Sequence, residues 1–367
     1  MSYRLLVPFL AVSSLAHAAV NVIPWGQSAG APVNLYTLSD SQISVQVTNF
    51  GARVVAVQAP DRRGAKADVV LGYNDLAAYE ADKKTYLGST PGRYANRVAH
   101  GRFTLDGVKY TIPTNDGANA LHGGTVGFDR KVWTGKVLSN GVEFTLVSPD
   151  GDMGFPGQLT VQVRYTLEGD ALAIHYAAST TKPTVLNLTN HTYFNLSGEG
   201  SGSILNEVLT LPAADYTPVD KSLIPTGQLA PVAGTPFDFR QPSPIGKRIG
   251  EPDAQLQLAL GYDHNFVLSQ KSESSLHLAA KVADPASGRT LTVSTTEPGV
   301  QFYSGNHLDG ATTGRSGKAY AKHAGFCLET QHFPNSPNQP NFPSTVLQPG
   351  QEFHSETVFT FGVEHGS

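Results

Sequence analysis

Four stretches of this chain set histidines, carboxylates and amides beside aromatic rings and glycines. The first is Gly92–Val98 (GRYANRV), followed by Phe103–Gly107 and Asn119–Gly124. The second is Asn187–Leu196 (NLTNHTYFNL), and the third is Gly261–Phe266 (GYDHNF). The fourth is Pro298–Asn306 (PGVQFYSGN) with Gly325–Gln331 (GFCLETQ). Histidine paired with a carboxylate is the usual equipment for acid–base work near neutral pH. Asn, Asp, Gln and Arg can bind hydroxyls, and aromatic rings cover apolar C–H faces. That mixture suits a sugar. The candidates are His122, His191, Glu329, Asp263, Gln301, Asn96 and Arg97. Taken singly, each has a plainer reading. His191 and His122 could be hydrogen-bonded structural histidines, and Glu329 any strand carboxylate. Arg97 could be a surface ion-pair residue, Asp263 a turn cap, and Gln301 a partner for backbone. Trp133 and Tyr193 could stack on a sugar or fill the core.

Other patterns look like chemistry and fail on context. Gly26–Gly30 matches G-x-S-x-G, but a nucleophile elbow needs a strand before it and a helix after it, and neither is expected there. Gly314–Lys318 hints at a phosphate loop, but its first glycine is misplaced and Ala319 stands where Ser or Thr is needed. It reads as a solvated loop. Asn187, Asn190 and Asn195 each begin an N-x-Ser/Thr sequon; interleaved with Leu186, Leu188, Tyr193 and Phe194, they read as a polar pocket wall. His122, His191, Asp263 and Glu329 lack the short-range spacing of common zinc sites, so no metal is expected. A glycoside hydrolase usually needs two carboxylates about the scissile bond, whereas the acid candidate here is a histidine.

The elements that must position these residues are strands. Leu159, Val161, Val163, Tyr165 and Leu167 alternate with polar residues, Glu168-Gly169-Asp170 turns the chain, and Leu172, Ile174 and Tyr176 continue the pattern. That is a hairpin with one buried face. A second hairpin is expected at Leu276–Val282 and Thr290–Thr296, joined through Pro285–Gly288. Ile43–Val57, Val142–Val147 and Val358–Val363 are further strands, and Asp75–Ala81 is a short helix. Frequent turns, from 37 Gly and 24 Pro, and no linker-like stretch argue one large all-β domain, a sandwich or barrel.

Met1–Ala18 has one early cation, an apolar run over Leu5–Leu15 and Ala16-His17-Ala18, the pattern of a secretory signal cut before Ala19. The run is too short for a bilayer span of roughly 20 residues. A secreted or periplasmic protein is therefore expected, with residues 19–367 as a single domain. Its single cysteine, Cys327, allows no internal disulfide. A net charge of −4 without a basic run argues against nucleic acid or anionic membranes as partners.

The chain resembles the aldose 1-epimerase (galactose mutarotase) family from about Asn49 to Gly350. Gly92–Val98, Leu121–Gly124, Asn190–Phe194, Gly261–Phe266, Pro298–Asn306 and Glu329–Pro334 occur in the family's order and approximate spacing. Asn335 departs from the Asp that the family often has there. The resemblance implies a large antiparallel β-sandwich (supersandwich) with few short helices, and a cofactor-free isomerase acting on a free monosaccharide. It implies Glu329 as general base on the C1 hydroxyl and His191 as general acid on the ring oxygen O5. It implies His122 near the reacting end, and Asn96, Arg97, Asp263 and Gln301 on hydroxyls. Hemiacetals open unaided in water, so this chemistry requires no metal or nucleotide. A non-catalytic sugar-binding module and a sugar-phosphate epimerase are the alternatives; a monomer or weak homodimer is expected.

Overall fold

A computed structural model describes residues 19–268 and 275–364. The expected signal segment, Met1–Ala18, lies outside them. The alternating hairpin forms as expected: Leu159–Glu168 pairs with Ala171–Thr180 through a full antiparallel register. Leu159, Val161, Val163, Tyr165 and Leu167 are buried, and the residues between them are more exposed. That hairpin sits in a nine-stranded sheet. The order is Thr134–Val137, Gly141–Ser148, Leu159–Glu168, Ala171–Thr180, Phe353–Val363, Arg289–Thr295, His277–Ala283, Val208–Thr210 and Ser243–Pro244. The second expected hairpin appears as His277–Ala283 against Arg289–Thr295, with a bulge near Leu278.

A six-stranded antiparallel sheet packs over this one. Its order is Tyr193–Phe194, Phe326–Gln331, Gly299–Tyr303, Asp263–Val267, Asp215–Tyr216 and Ala230–Pro231. Phe326, Leu328, Val300, Phe302 and Phe266 join one core cluster with Val161, Val163, Ile174 and Phe359 of the large sheet. A five-stranded sheet, Ala19–Ser28 through Lys66–Asp68, adds Val45, Val47, Val54 and Val57 to the same cluster. The sheets are antiparallel and open, a β-sandwich. The short helix spans Leu76–Ala81, with Asp75 capping it by accepting from the Ala78 N–H. A second, Ala254–Ala259, is capped likewise by Asp253.

Three expectations need correction. Ile43–Val57 is not one strand but two, Ser44–Thr48 and Arg53–Pro60. The chain turns at Gly51 (φ +74°) and Ala52 (φ +41°), and a side chain at Gly51 would collide with the Asp129 backbone. A strand, Ala19–Ser28, does run into the G-x-S-x-G pattern, but a second strand follows rather than a helix, so no elbow forms. The Gly314–Lys318 loop is not wholly solvated: Arg315 reaches inward to pair with Asp68 and to donate to the Val55 and Val70 carbonyls.

Candidate active site

The central strands of the six-stranded sheet are buried on both faces. All residues of Phe326–Gln331, Gly299–Tyr303 and Asp263–Val267 are shielded. Strand period two then divides labour. One face carries Phe326, Leu328, Val300 and Phe302 into the core. The other carries Cys327, Glu329 and Gln331, beside Gln301 and Tyr303, with Asp263 and Asn265 beyond. Register places Glu329 opposite Gln301, Asn265 opposite Gln301, and Cys327 opposite both Tyr303 and Tyr193.

His191 arrives from the adjoining segment. Its N–H donates to the Ser89 carbonyl at 2.9 Å, and its carbonyl accepts from Gly88 N–H at 2.9 Å. Asn190 also donates to Gly88 O. This places His191 Nε2 3.7 Å from Glu329 Oε1. His122 closes the other side, its ring centroid 5.1 Å from that of His191. Asn96 and His122 clamp each other: His122 N–H donates to Asn96 O, and Asn96 N–H donates to His122 Nδ1, both at 3.1 Å. Both residues lie in the left-handed region (φ +63° and +52°), a conformation that side-chain-bearing residues occupy only when surroundings enforce it.

These residues line a groove of about 410 Å³, with Asn96, Arg97, His122, His191, Asp263 and Glu329 all on its wall. Arg97 Nε donates to Asp116 Oδ2 at 2.8 Å, and its guanidinium stands 3.7 Å from Asp263 Oδ2. Gln301 is not on the wall. It lies behind Asp263 and donates to its Oδ1 at 2.7 Å, while Gln331 donates to Gln301 at 3.3 Å. A larger cleft of about 510 Å³ runs past Leu186, Thr345 and Phe353. Its lining histidines are His332, paired with Glu297, and His354, paired with Glu352; the last two are largely exposed, so solvent screens their charges, unlike the buried His191 and Glu329.

Burial governs the charges. Glu329 is pushed well above the ordinary carboxylate range by desolvation, with Asp263 adding and Arg97 opposing. His191 is pushed down to about 4, chiefly by desolvation. Both shifts oppose the charged forms and favour a pair that holds one proton between its two members. His122 is held well below its ordinary value by burial, then by His191 and Arg97. Glu329 Oε2 is buried with no hydrogen-bond partner, an acceptor left open for a ligand.

Ligand atoms of His122, His191 and Glu329 lie within 4.8 Å of one another, a proximity that sequence spacing does not reveal. The donor set nevertheless fits a cation poorly. His122 Nδ1 accepts the Asn96 N–H, so the neutral ring carries its proton on Nε2, the atom facing the groove. A metal there would have to displace that proton and leave an imidazolate. The same geometry makes His122 a hydrogen-bond donor toward a hydroxyl.

Sequence reasoning missed Tyr86 and Asp116, both on the groove wall. Tyr86 packs 4.5 Å from the His122 ring and 5.8 Å from His191. No motif marks it. Asp116 sits in Asn115-Asp116-Gly117, which carries the composition of a turn and no more. Tyr193 lines the groove, its ring 5.1 Å from His191, whereas Trp133 is core. The sequon asparagines are buried but do not line the groove; their amides hold backbone, Asn187 at Ala95 and His332 and Asn195 at Gly202 and Ala324. They support the site from behind. Asn335 accepts from Ala99 N–H, a role an aspartate could fill equally.

Known proteins resemble this chain in sequence and in fold. A family model described as aldose 1-epimerase matches residues 34–360. Galactose mutarotase of Rattus norvegicus is 49% identical over 336 residues, covering 92% of this chain and 96% of the relative. Aldose 1-epimerase of Escherichia coli (strain K12) is 40% identical over 342 residues, covering 91% and 97%. The crystal structure of galactose 1-epimerase from Lactobacillus acidophilus superposes with a TM-score of 0.82 at 30% identity, covering 95% of this chain and 100% of that one. With similarity this broad in both sequence and fold, the chain belongs to the aldose 1-epimerase family.

Proposed function

We propose that this protein interconverts the α and β anomers of free aldoses such as glucose and galactose, with Glu329 and His191 as its acid–base pair. The observation that carries the reading is the 3.7 Å separation of His191 Nε2 and Glu329 Oε1 on the floor of a groove rich in hydroxyl-binding groups. In the reactive form Glu329 is a carboxylate and His191 an imidazolium. Glu329 takes the C1 hydroxyl proton while His191 gives the Nε2 proton to O5. The C1–O5 bond breaks and the aldehyde forms. Rotation about C1–C2 turns the other carbonyl face to O5. On reclosure Glu329 returns a proton to O1 and His191 takes the proton from O5, which restores the pair.

Opening converts a charged pair into a neutral one. The buried setting favours that direction, and the substrate compensates by giving Glu329 Oε2 the partner it lacks. Each positioned acid or base typically contributes ~10²–10⁴-fold. His122 offers Nε2–H to a hydroxyl near the reacting end. Asn96, Arg97 and Asp263 bind the others, and Gln301 acts by holding Asp263. We further propose that residues 19–367 form one domain, exported by cleavage before Ala19, and that the protein works as a monomer or weak homodimer. No helix among the described residues is long and apolar enough to cross a membrane.

Polarimetry of freshly dissolved α-D-glucose and α-D-galactose tests the reading. The protein should speed the approach to anomeric equilibrium, and Glu329→Gln should not. An unchanged spontaneous rate on both sugars, and on arabinose and xylose, would transfer the reading to sugar binding or to sugar-phosphate substrates.

A further inference from the structure

Cys327 takes no part in these proton transfers, yet it lies directly behind one of the groups that does. Its Sγ is 3.5 Å from His191 Nδ1, and the side chain is fully buried. Cys327 and Glu329 are two residues apart on one strand, so both project from the same face. That strand therefore touches both ring nitrogens of His191, with a thiol at Nδ1 and a carboxyl at Nε2. Tyr193 packs on the ring at 5.1 Å and Tyr303 closes its edge at 6.5 Å. We propose that Cys327 is a positioning residue for the proposed acid–base reaction, holding the His191 ring so that Nε2 faces the reacting atoms and keeping its hold on the ring proton weak.

The chemistry of the partner matters. The group at one ring nitrogen of a histidine sets the tautomer and basicity at the other. A carboxylate behind Nδ1 would stabilise the imidazolium and trap the proton on His191. A thiol is a weak donor and a weak acceptor, so it orients the ring without that bias. Burial pushes the Cys327 thiol well above its ordinary range, so it stays protonated. The other titratable groups facing His191 are Glu329 at Nε2, with His122, Tyr86, Tyr193 and Tyr303 around the ring. Arg53 and Asp82 act on it at longer range, in opposite directions.

The test compares Cys327→Ala and Cys327→Ser in the full chain. Anomerisation kinetics across pH are read alongside ¹⁵N NMR of the histidine rings, with His191 assigned by loss of its signal in His191→Asn. The proposal rests on the reading of His191 as catalyst, and the ring signal is independent of turnover. Removing the sulfur should lower kcat about 10-fold or more while KM stays within about twofold, and it should shift the His191 Nδ1 signal. Serine, a better acceptor for Nδ1–H, should restore most of kcat and move the His191 titration upward. If both variants keep the wild-type kcat, pH profile and ring signal while losing only thermal stability, Cys327 is packing and the proposal falls. If the wild type proves inactive, the acid–base reading fails, and the ring signals alone decide whether Cys327 holds His191.

Discussion

Two groups that share one proton cannot be removed independently. Glu329→Gln and His191→Asn each keep side-chain volume close to the original and delete proton transfer at one end. Each should lower kcat/KM by ~10²–10⁴-fold, or roughly 3–5 kcal/mol at 1.36 kcal/mol per tenfold. Were the two independent, the double variant would lose the product, on the order of 10⁴–10⁸, roughly 5–11 kcal/mol. The 3.7 Å contact between His191 Nε2 and Glu329 Oε1 argues otherwise. Removing either leaves the other without its proton exchange partner: a lone Glu329 holds its proton, and a lone His191 stays neutral. The double variant should thus be no slower than the slower single, with a coupling energy on the order of 3–5 kcal/mol. The assay is polarimetric kcat/KM on α-D-galactose, with the spontaneous rate subtracted. A double variant that falls by the product of the singles would refute the shared-proton account.

Other outcomes follow from the same groups. Since one proton on the pair is required, kcat/KM should fall on the acid side as His191 takes a second proton, near its value of about 4, and on the alkaline side only above the ordinary carboxylate range; an acid limb at an ordinary histidine value would contradict the burial argument. Asp263→Asn should raise KM about 10- to 100-fold with a smaller change in kcat, because Arg97 loses one of its carboxylates while Gln301 can still donate to the amide oxygen; titration of initial rates against sugar concentration separates the two. Glu329→Gln should raise Tm more at pH 7 than at pH 4. The folded-state value of Glu329 lies above its ordinary 4.5, so its contribution to stability is present below that value and lost as pH rises, whereas glutamine does not titrate; parallel Tm curves would show that Glu329 is not held protonated. Dialysis against a chelator should leave the rate unchanged, because His122 presents Nε2–H rather than a lone pair; loss of activity restored by a divalent ion would overturn that tautomer.

Much of the scaffold was legible because burial on a sheet has a period. The Leu159–Tyr176 hairpin announces itself by alternation, since one face meets the core and the other solvent. The Phe326–Gln331 and Gly299–Tyr303 strands do not alternate in polarity so cleanly, as both faces are covered, one by core and the other by the site. Their residues could be named as candidates by chemical type and family likeness. Their division between faces needed the register. The turn at Gly51 was hidden inside an apolar run whose break depends on a contact with Asp129, a distant segment. Tyr86 and Asp116 were unreadable for a related reason: neither has a partner nearby in sequence that hints at a groove. Gln301 shows the opposite limit. Its type suggested contact with a ligand, but its neighbour across the sheet takes the amide first.

Glu329, His191 and His122 are poor choices for stability, being ionisable groups buried with few partners. They are tolerated because the strand that carries Glu329 is anchored by its other face. Phe326 and Leu328 sit in the main core cluster with Val300 and Phe302, and the flanking strands satisfy the backbone on both edges. Alternation thus lets one six-residue strand deliver apolar burial downward and a thiol, a carboxyl and an amide upward. The rigidity obtained below is what holds a carboxyl and an imidazole at one distance above, and the dry setting that makes their charges unfavourable is what leaves a single proton free to pass between them. A surface-exposed pair would retain both charges and gain little from neutralising them as the ring opens.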